Sequence, residues 1–274
     1  MLEEFLPHYT TSFSEGAFVV AGLINLLLPT SPAPESRADL LPQSHLPTHF
    51  HLWSLVGRSK TFDTTYLDYF SRLARDSLPA AHIPFSEHGI FTKDQSALIF
   101  TAVLRLLEIP VGQSTSPYSA LVDISSGLGI MLDRDGRKHP VAHHIARWIV
   151  MSLSPACVDA EVSILSQLEG LIQAVETFFH PSNSGHWTKT LSQLVYYLTD
   201  FFVMRWNREQ TGEMDVPPER RLNEPLKRRF VLCIRDVIFM GIYAKSSTAM
   251  TFSLSTLQGL AYLEPHLILP GALQ

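Results

Sequence analysis

Apolar residues recur along most of the chain at spacings of three and four positions, and strict alternation of apolar and polar residues is scarce. A spacing of three and four places the apolar side chains on one face of an α-helix. A helix with one apolar stripe must bury that stripe against a neighbour. The pattern therefore predicts an all-α protein in which successive helices pack side by side.

Turn residues separate these helices, and residues 178–191, which read FFHPSNSGHWTKTL, are the clearest example. An apolar helix stops at His180 and Pro181, a polar turn follows, and a second amphipathic helix begins at Trp187. Helix pairs joined in series are typical of an α-solenoid. Because the pairs recur at irregular intervals, the sequence favours degenerate, HEAT-like antiparallel pairs over a strict short repeat.

Prolines and capping residues set the predicted boundaries. Five prolines between residues 29 and 47 predict a surface linker, Asp63 and Thr92 are predicted N-caps, and Pro140 and Pro225 fit the first turns of helices. The predicted helices cover residues 14–28, 48–56, 63–78, 92–107, 141–153, 158–179, 187–208, 224–242 and 254–263, with a weaker segment at 119–132 and loops at 112–118 and 209–222. The helix after Thr92 is predicted to bury Ile99, Phe100, Val103, Leu104 and Leu107.

The composition is that of a folded protein with a large hydrophobic core. With 274 residues, of which 46% are hydrophobic and 17% charged, the chain can bury a large core. The formal net charge of -5 shows that the chain has no overall excess of basic residues for nucleic acid, so no specific DNA binding is expected. The uncharged apolar stretch at residues 16–28 is shorter than the roughly 20 residues that a bilayer span needs, so no membrane association is expected.

Several long strings resemble one known family in its own order along the chain. They are LPTHFHLWSLVGRSKTFD at 46–63, YFSRLARD at 69–76, PFSEHGIFTKDQ at 84–95, LRLLEIPVGQ at 104–113 and FFHPSNSGHWTKTL at 178–191. These strings are rich in Trp, Pro and Gly, and they resemble the middle region of the giant HEAT-repeat proteasome activators, the fungal bleomycin-sensitivity protein and its animal counterpart. The resemblance extends over residues 1–274.

The resemblance implies that residues 1–274 are a middle HEAT-repeat segment of a larger solenoid that caps the end ring of the proteasome core particle. It implies a role in ubiquitin-independent degradation of peptides and proteins, in the nucleus and cytoplasm. Family members open the core particle with a C-terminal hydrophobic-Tyr-x motif, whereas this chain ends in Pro270, Gly271, Ala272, Leu273 and Gln274. We therefore expect the chain to be a fragment that does not open the gate by itself.

One histidine cluster hints at metal binding. His139, His143 and His144 lie close to Asp133 and Asp135 in the sequence. A zinc site needs three or four converging ligands, and the chain has neither a His-Glu-x-x-His motif nor a Cys pair, so no metal, cofactor or catalytic residue is predicted. The alternatives that remain are a helical metalloenzyme that uses this cluster and a HEAT adaptor or scaffold unrelated to the proteasome.

A cationic cluster is the strongest local anomaly of the sequence. Arg205 and Arg208 precede it, and its core comprises Arg220, Arg221, Lys227, Arg228 and Arg229. Charge clusters near helix ends usually form a solvated face. The sharper hypothesis is an anion site, for example for an inositol phosphate, since the resemblance implies that the animal relative holds such ligands.

Overall fold

A computed structural model of the chain describes residues 30–32, 42–55, 60–109, 139–183, 185 and 187–272. Within these ranges the regular elements are helices, which confirms the predicted all-α class. The α-helices are α1 Pro42–Leu55, α2 Lys60–Ser77, α3 Lys93–Leu106, α4 Val141–Ser152, α5 Ala156–Asp159, α6 Ile164–Val175, α7 Trp187–Thr211, α8 Glu224–Gly241, α9 Ser247–Leu263 and α10 Pro265–Ala272, with short 3-10 turns at Glu176–Phe179 and Pro218–Arg220.

Four helices, α2, α4, α7 and α9, pack side by side in that order and form one row. In the α7–α9 pair, the contacts advance in the same direction along both helices. Tyr196 of α7 meets Phe252 of α9 with ring centroids 5.3 Å apart, and further along Asn207 of α7 accepts a 2.9 Å hydrogen bond from Tyr262 of α9. Helix α4 meets α7 in the same sense, through His143 and Tyr197 first and through Val150 and Arg205 further along, so these neighbours in the row run parallel.

A second set of helices packs against this row. Helix α3 contacts α2, α6 contacts α4, and α8 contacts both α6 and α9. Helices α8 and α9 run in opposite directions, because Lys227 at the start of α8 pairs with Glu264 after the end of α9, whereas Gly241 at the end of α8 lies beside Ser253. Parallel helices in one row and antiparallel helices within a pair are the HEAT-like arrangement that the sequence predicts.

One hydrophobic cluster extends through the described helices. It begins at Leu46 in α1, ends at Ile268 in α10 and includes the fully buried Trp148 and Leu198. A continuous core of this kind is expected when each helix buries its stripe on the next one. In the part of the chain that the structure describes, no helix combines the length and the apolarity that a membrane crossing requires.

The predicted cap at Thr92 and the predicted helix starts at Pro140 and Pro225 are confirmed, because their signals lie in the adjacent residues. The Thr92 side chain accepts from the backbone N–H of Gln95, and the Gln95 side chain accepts from the Thr92 N–H, which forms a capping box. Asn223 caps α8 with Pro225 in the first turn, and Pro140 directly precedes α4. These residues act through bonds to their own backbone neighbourhood.

Some predicted boundaries were wrong. Helix α1 begins at Pro42 and contains Pro47, so the linker predicted for 29–47 does not include residues 42–47. Proline is accepted at the first helical position because the N–H that it lacks has no partner there. Helix α7 continues to Thr211, three residues beyond its predicted end and into the loop predicted for 209–222. The helix predicted for 14–28, the loop at 112–118 and the segment at 119–132 lie outside the described residues.

Two side chains have roles other than those predicted. Asp63 is inside α2, which begins at Lys60, and its fully buried carboxylate accepts from Trp53 of α1 and Arg105 of α3. Leu104, predicted to be buried, is 50% exposed, because the contacts of α3 fall on the opposite edge of its apolar stripe. Both outcomes depend on where neighbouring helices pack.

The turn between α2 and α3 docks onto the junction of α4, α5 and α6. The Glu87 carbonyl accepts from the N–H of Ile164, which begins α6, and from the thiol of Cys157 in α5. Gly89 has φ +70, and a Cβ built on it would lie 2.8 Å from the Cβ of Ser152 at the end of α4. Glycine is required here both by the backbone conformation and by the close approach.

Replacement of Gly89 by alanine should separate these two requirements when compared with Gly212→Ala. Gly212 has φ +74 but no atom within 4 Å of a built Cβ, so its replacement should cost only the left-handed backbone penalty of about 1–2 kcal/mol. Gly89→Ala should cost a further 1–3 kcal/mol or so, because the methyl group must displace Ser152. Chemical unfolding would measure both, and equal losses would contradict the close packing of the turn on α4.

A buried histidine lies between α1 and α2. His49 is 1% exposed, its ring centroid is 5.0 Å from that of Tyr69, and neither ring nitrogen has a hydrogen-bond partner among the described residues. Burial, with a smaller effect of His45, lowers the pKa of His49 to about 4. The folded protein therefore holds this imidazole neutral at pH values where an unfolded chain would protonate it.

Stability should consequently decrease as pH falls from about 6.5 to about 4, because only the unfolded state takes up the proton on His49 within that window. Above about pH 6.5 the imidazole is neutral in both the folded and the unfolded state, so His49 no longer lowers the free energy of unfolding. His49→Phe should remove up to about 1.4 kcal/mol per pH unit from this dependence. Denaturant unfolding at several pH values would measure the slope, with the exposed His51→Phe as the control. Parallel slopes for wild type and His49→Phe would refute the prediction.

Candidate functional site

A buried ionic network joins α2 to α4. Asp68 Oδ1 accepts a 2.7 Å bond from Arg147 Nη2 and lies 3.0 Å from His144 Nδ1, and Asp68 Oδ2 accepts a 3.2 Å bond from Arg72 Nε. Arg147 also donates to the Ser71 hydroxyl at 2.9 Å. All five residues are buried. The network therefore connects the two helices through charges that water does not reach.

The electrostatics of this network keep Asp68 ionised. Burial alone raises the pKa of Asp68, but the hydrogen bond and charge of His144, together with Arg72 and Arg147, outweigh burial and lower the pKa well below its ordinary value. A buried charge pair of this kind is costly to break, because the remaining partner is left without compensation. The Asp68 network therefore holds α2 and α4 in one fixed relative position.

A second network is built on Arg205, which is fully buried in α7. Its Nη1 donates to the carbonyls of Val150 and Leu153 at the end of α4, at 2.6 and 3.0 Å. Its Nη2 donates to the carbonyl of Arg220 at 2.7 Å, and its Nε donates to Glu209 at 2.6 Å. One guanidinium thus contacts the end of α4, its own helix and the 3-10 turn after α7.

Arg220 continues the chain of contacts toward α2. Its guanidinium lies 4.9 Å from the centroid of the Phe85 ring. It donates to the carbonyls of Ser77, Leu78, Ala80, Ala81 and Ile83, at distances between 2.6 and 3.3 Å. We call Arg205 and Arg220, with the carbonyls that they bind, the arginine relay. The relay joins the C-terminal ends of α2 and α4 to α7.

The relay satisfies groups that a helix cannot satisfy by itself. The last four carbonyls of an α-helix have no intrahelical partner, and a guanidinium offers five donors in a fixed plane. Burial lowers the pKa of both arginines, and the Glu209 charge opposes the decrease for Arg205. Sequence reasoning missed this role, although Arg205 continues the buried stripe of Leu198, Phe201 and Phe202 at helical spacing.

Three of the other predicted cations have separate partners within the chain. Lys227 pairs with Glu224 at 2.7 Å and with Glu264, and Arg229 binds both oxygens of Glu169 at 2.6 and 2.7 Å. Arg221 donates to the carbonyl of Val216, whereas Arg228 is exposed on α8. The structure thus does not direct Arg220, Arg221, Lys227, Arg228 and Arg229 into one shared pocket, and anion binding by them stays a prediction.

The histidine cluster participates in packing. His139 and His143 stack with ring centroids 4.0 Å apart, and His143 also contacts Tyr197 and Phe201 of α7. Burial, then the charge of Arg147, lowers the pKa of His143 to about 3, so its imidazole is neutral. His144 is part of the Asp68 network. The described residues hold no group of three potential metal ligands, and the two aspartates at 133 and 135 lie outside them.

The sequence of the chain is similar to those of known proteins. Residues 168–274 match the family model for the mid HEAT repeats region of proteasome activator complex subunit 4. The chain is 25% identical over 267 residues to proteasome activator subunit 4 of Arabidopsis thaliana, which covers 97% of this chain and 14% of that relative. It is 27% identical over 278 residues to proteasome activator complex subunit 4A of Danio rerio, covering 100% and 14%.

A fungal relative matches as well. The chain is 25% identical over 199 residues to proteasome activator BLM10 of Saccharomyces cerevisiae, which covers 63% of this chain and 8% of the relative. The chain thus spans about one seventh or less of the length of these relatives. The parallel row of helices fits the HEAT repeats that the matching family model describes. The chain is therefore similar in sequence to proteasome activator subunit 4 and to BLM10, and its residues 168–274 match the mid HEAT repeats region of the former.

Proposed function

We propose that this chain forms part of the helical solenoid of a proteasome activator and has no catalytic activity of its own. The activator caps the core particle and promotes ubiquitin-independent degradation of peptides and proteins. The observation that carries the proposal is the arginine relay, in which two buried arginines hold successive helices in one row. The names of the matched relatives supply the proteasome as the partner.

The role follows from how a helical array transmits shape. Each repeat contacts its neighbours, so the curvature of the whole array is the sum of small rotations at each interface. The buried ionic groups described above each join two or more helices, as Asp63, Asp68, Arg147 and Arg205 do. Rigid interfaces in this segment would keep distant parts of a cap in position on the core particle.

Affinity purification of the protein from its own cells, with a tag added to the gene that encodes this chain, tests the proposal. We expect the core particle to co-purify and the complex to hydrolyse small fluorogenic peptides faster than the core particle alone, without ubiquitin. Purification with transport or signalling proteins and without the core particle would overturn the proposal in favour of an unrelated HEAT scaffold.

Arg205→Ala tests the architectural role directly. It leaves Glu209 buried without its cation and removes donors from the ends of α4, so we expect a loss of about 3–5 kcal/mol in the free energy of unfolding. Arg208→Ala, three residues on in the same helix, removes an exposed cation and should change stability by no more than about 0.5 kcal/mol.

Chemical unfolding of the 274-residue chain measures both variants. In the tagged protein, Arg205→Ala should also reduce the yield of co-purified core particle, although Arg205 is buried and cannot contact it. Equal stability of the two variants would contradict the relay as a support of the fold.

A further inference from the structure

Helix α9 has a second apolar stripe, separate from the face that joins it to the core. The buried face comprises Ala249, Ser253, Thr256, Leu260 and Leu263. The second stripe comprises Met250, Leu254, Leu257 and Ala261, at intervals of three and four residues. Met250 is 38% exposed and Leu254 is 49% exposed, whereas Leu257 and Ala261 are partly buried. We call these four residues the outer stripe.

The outer stripe belongs to a helix without charge. All 17 residues of α9 are uncharged, whereas α7 beside it carries Asp200, Arg208 and other charged residues. A terminal repeat of a solenoid shows a polar outer face to water, because that face has no neighbour to cover it. Since the outer stripe is apolar, α9 has the surface of an internal helix of the array.

The outer stripe lies on the side of α9 that is opposite to α7. The α9 residues that approach α7 are Phe252, Gly259 and Tyr262. At about 100° per residue, the centre of the outer stripe lies about 155° around the helix from the centre of these three residues. The outer stripe thus faces away from the existing row.

Helix α7 shows the same geometry with both of its neighbours in place. Toward α4 it presents Tyr197, Phe201 and Arg205. Toward α9 it presents Tyr196, Thr199, Val203 and Asn207. The centres of these two sets are also about 155° apart, in the same rotational sense as on α9. The outer stripe is therefore at the position where the next helix of the row would lie.

Helix α10, which packs on α9 and α8, repeats the pattern in the second set of helices. Its Gly271 approaches α8, because a Cβ built on it would lie 2.8 Å from the Phe239 ring. Leu269 precedes Gly271 by two residues, which places it about 160° around the helix, and it is 49% exposed. Both α9 and α10 therefore present apolar side chains away from α7 and α8.

We propose that a further antiparallel helix pair, from the same polypeptide but outside residues 1–274, packs on this side of the molecule. One helix of the pair lies on the outer stripe and runs parallel to α9, as α4, α7 and α9 do with one another. The other helix contacts Leu269 of α10. The face of the pair that meets the outer stripe is apolar and uncharged, because a charge buried there would have no partner. The inference rests on the proposed function, since a longer solenoid has to supply the pair.

A second copy of this chain related by a two-fold axis cannot reproduce both contacts. An axis along α9 keeps the two α9 helices parallel but turns the α10 of the copy to the opposite side of the row. An axis perpendicular to the row keeps α10 beside α10 but makes the two α9 helices antiparallel. This chain covers only 14% of two of the relatives described above, so a protein of that length has room for further pairs.

The test places a photo-crosslinking residue, p-benzoylphenylalanine, at Met250, Leu254 or Ala261 of the tagged protein purified from its own cells. Thr251 is the control site, because it is exposed but lies about 90° around the helix from the outer stripe. The crosslink yield at Leu254 should exceed that at Thr251 about fivefold or more, because the benzophenone reacts only with groups in contact with it.

Mass spectrometry should assign the linked peptide to the same polypeptide, outside residues 1–274. The position linked from Ala261 should be C-terminal to the position linked from Met250, as parallel helices require. A mixture of copies with light and heavy isotopes separates links within one copy from links between two copies. Thermal melting should show that each variant is folded.

Equal yields at Leu254 and Thr251, or the reverse order of the linked positions, would overturn the proposal. Links to a second copy, to residues within 1–274 or to another protein would overturn it as well. The crosslinks do not depend on the core particle. The expected links without co-purified core particle would refute only the proteasome as partner, and co-purified core particle without these links would refute only this inference.

Discussion

Carbonyl groups at the ends of buried helices impose the constraint on which this structure depends. The last carbonyls of a helix have no intrahelical partner, and where a neighbouring element shields them from water they still require donors. Arg205 and Arg220 provide those donors for α4 and α2, respectively. Because the carbonyl of Arg220 itself accepts from Arg205, the two arginines cannot be positioned independently. The ends of three helices are thereby fixed as one unit.

At other contacts between helices, which we call seams, a carboxylate accepts hydrogen bonds from the side chains of neighbouring helices. Asp63 joins α1, α2 and α3, Asp68 joins α2 and α4, and Glu169 binds Arg229 of α8. Hydrophobic stripes give a helix array its stability but tolerate sliding along the seam, because apolar contacts have little direction. An ion pair that is wholly or partly removed from water favours one geometry, so we infer that these pairs fix the register of the helices that they join.

The helix class, the antiparallel pairs, the cap at Thr92 and the helix start at Pro225 were predictable because their signals are local. Leu104 and Asp63 were not, since the sequence does not show which edge of a stripe will meet a neighbour. The arginine relay was hidden for a related reason. A run of cations after α7 is typical of a solvated surface, and its burial depends on helix ends that lie more than 130 residues earlier in the chain. The position of Arg205 within an apolar stripe was the available signal.

The seam between α7 and α9 differs in its chemistry from three other seams between helices of this protein. At the α2–α4, α2–α3 and α6–α8 seams a carboxylate on one helix has an arginine on the other. At the α7–α9 seam the described contacts are aromatic rings and one neutral hydrogen bond, and Asp200 has no cationic partner there. A Cβ built on Gly259 of α9 would lie 2.6 Å from the Thr199 side chain of α7, so close approach of the two helices takes the place of an ion pair at this seam.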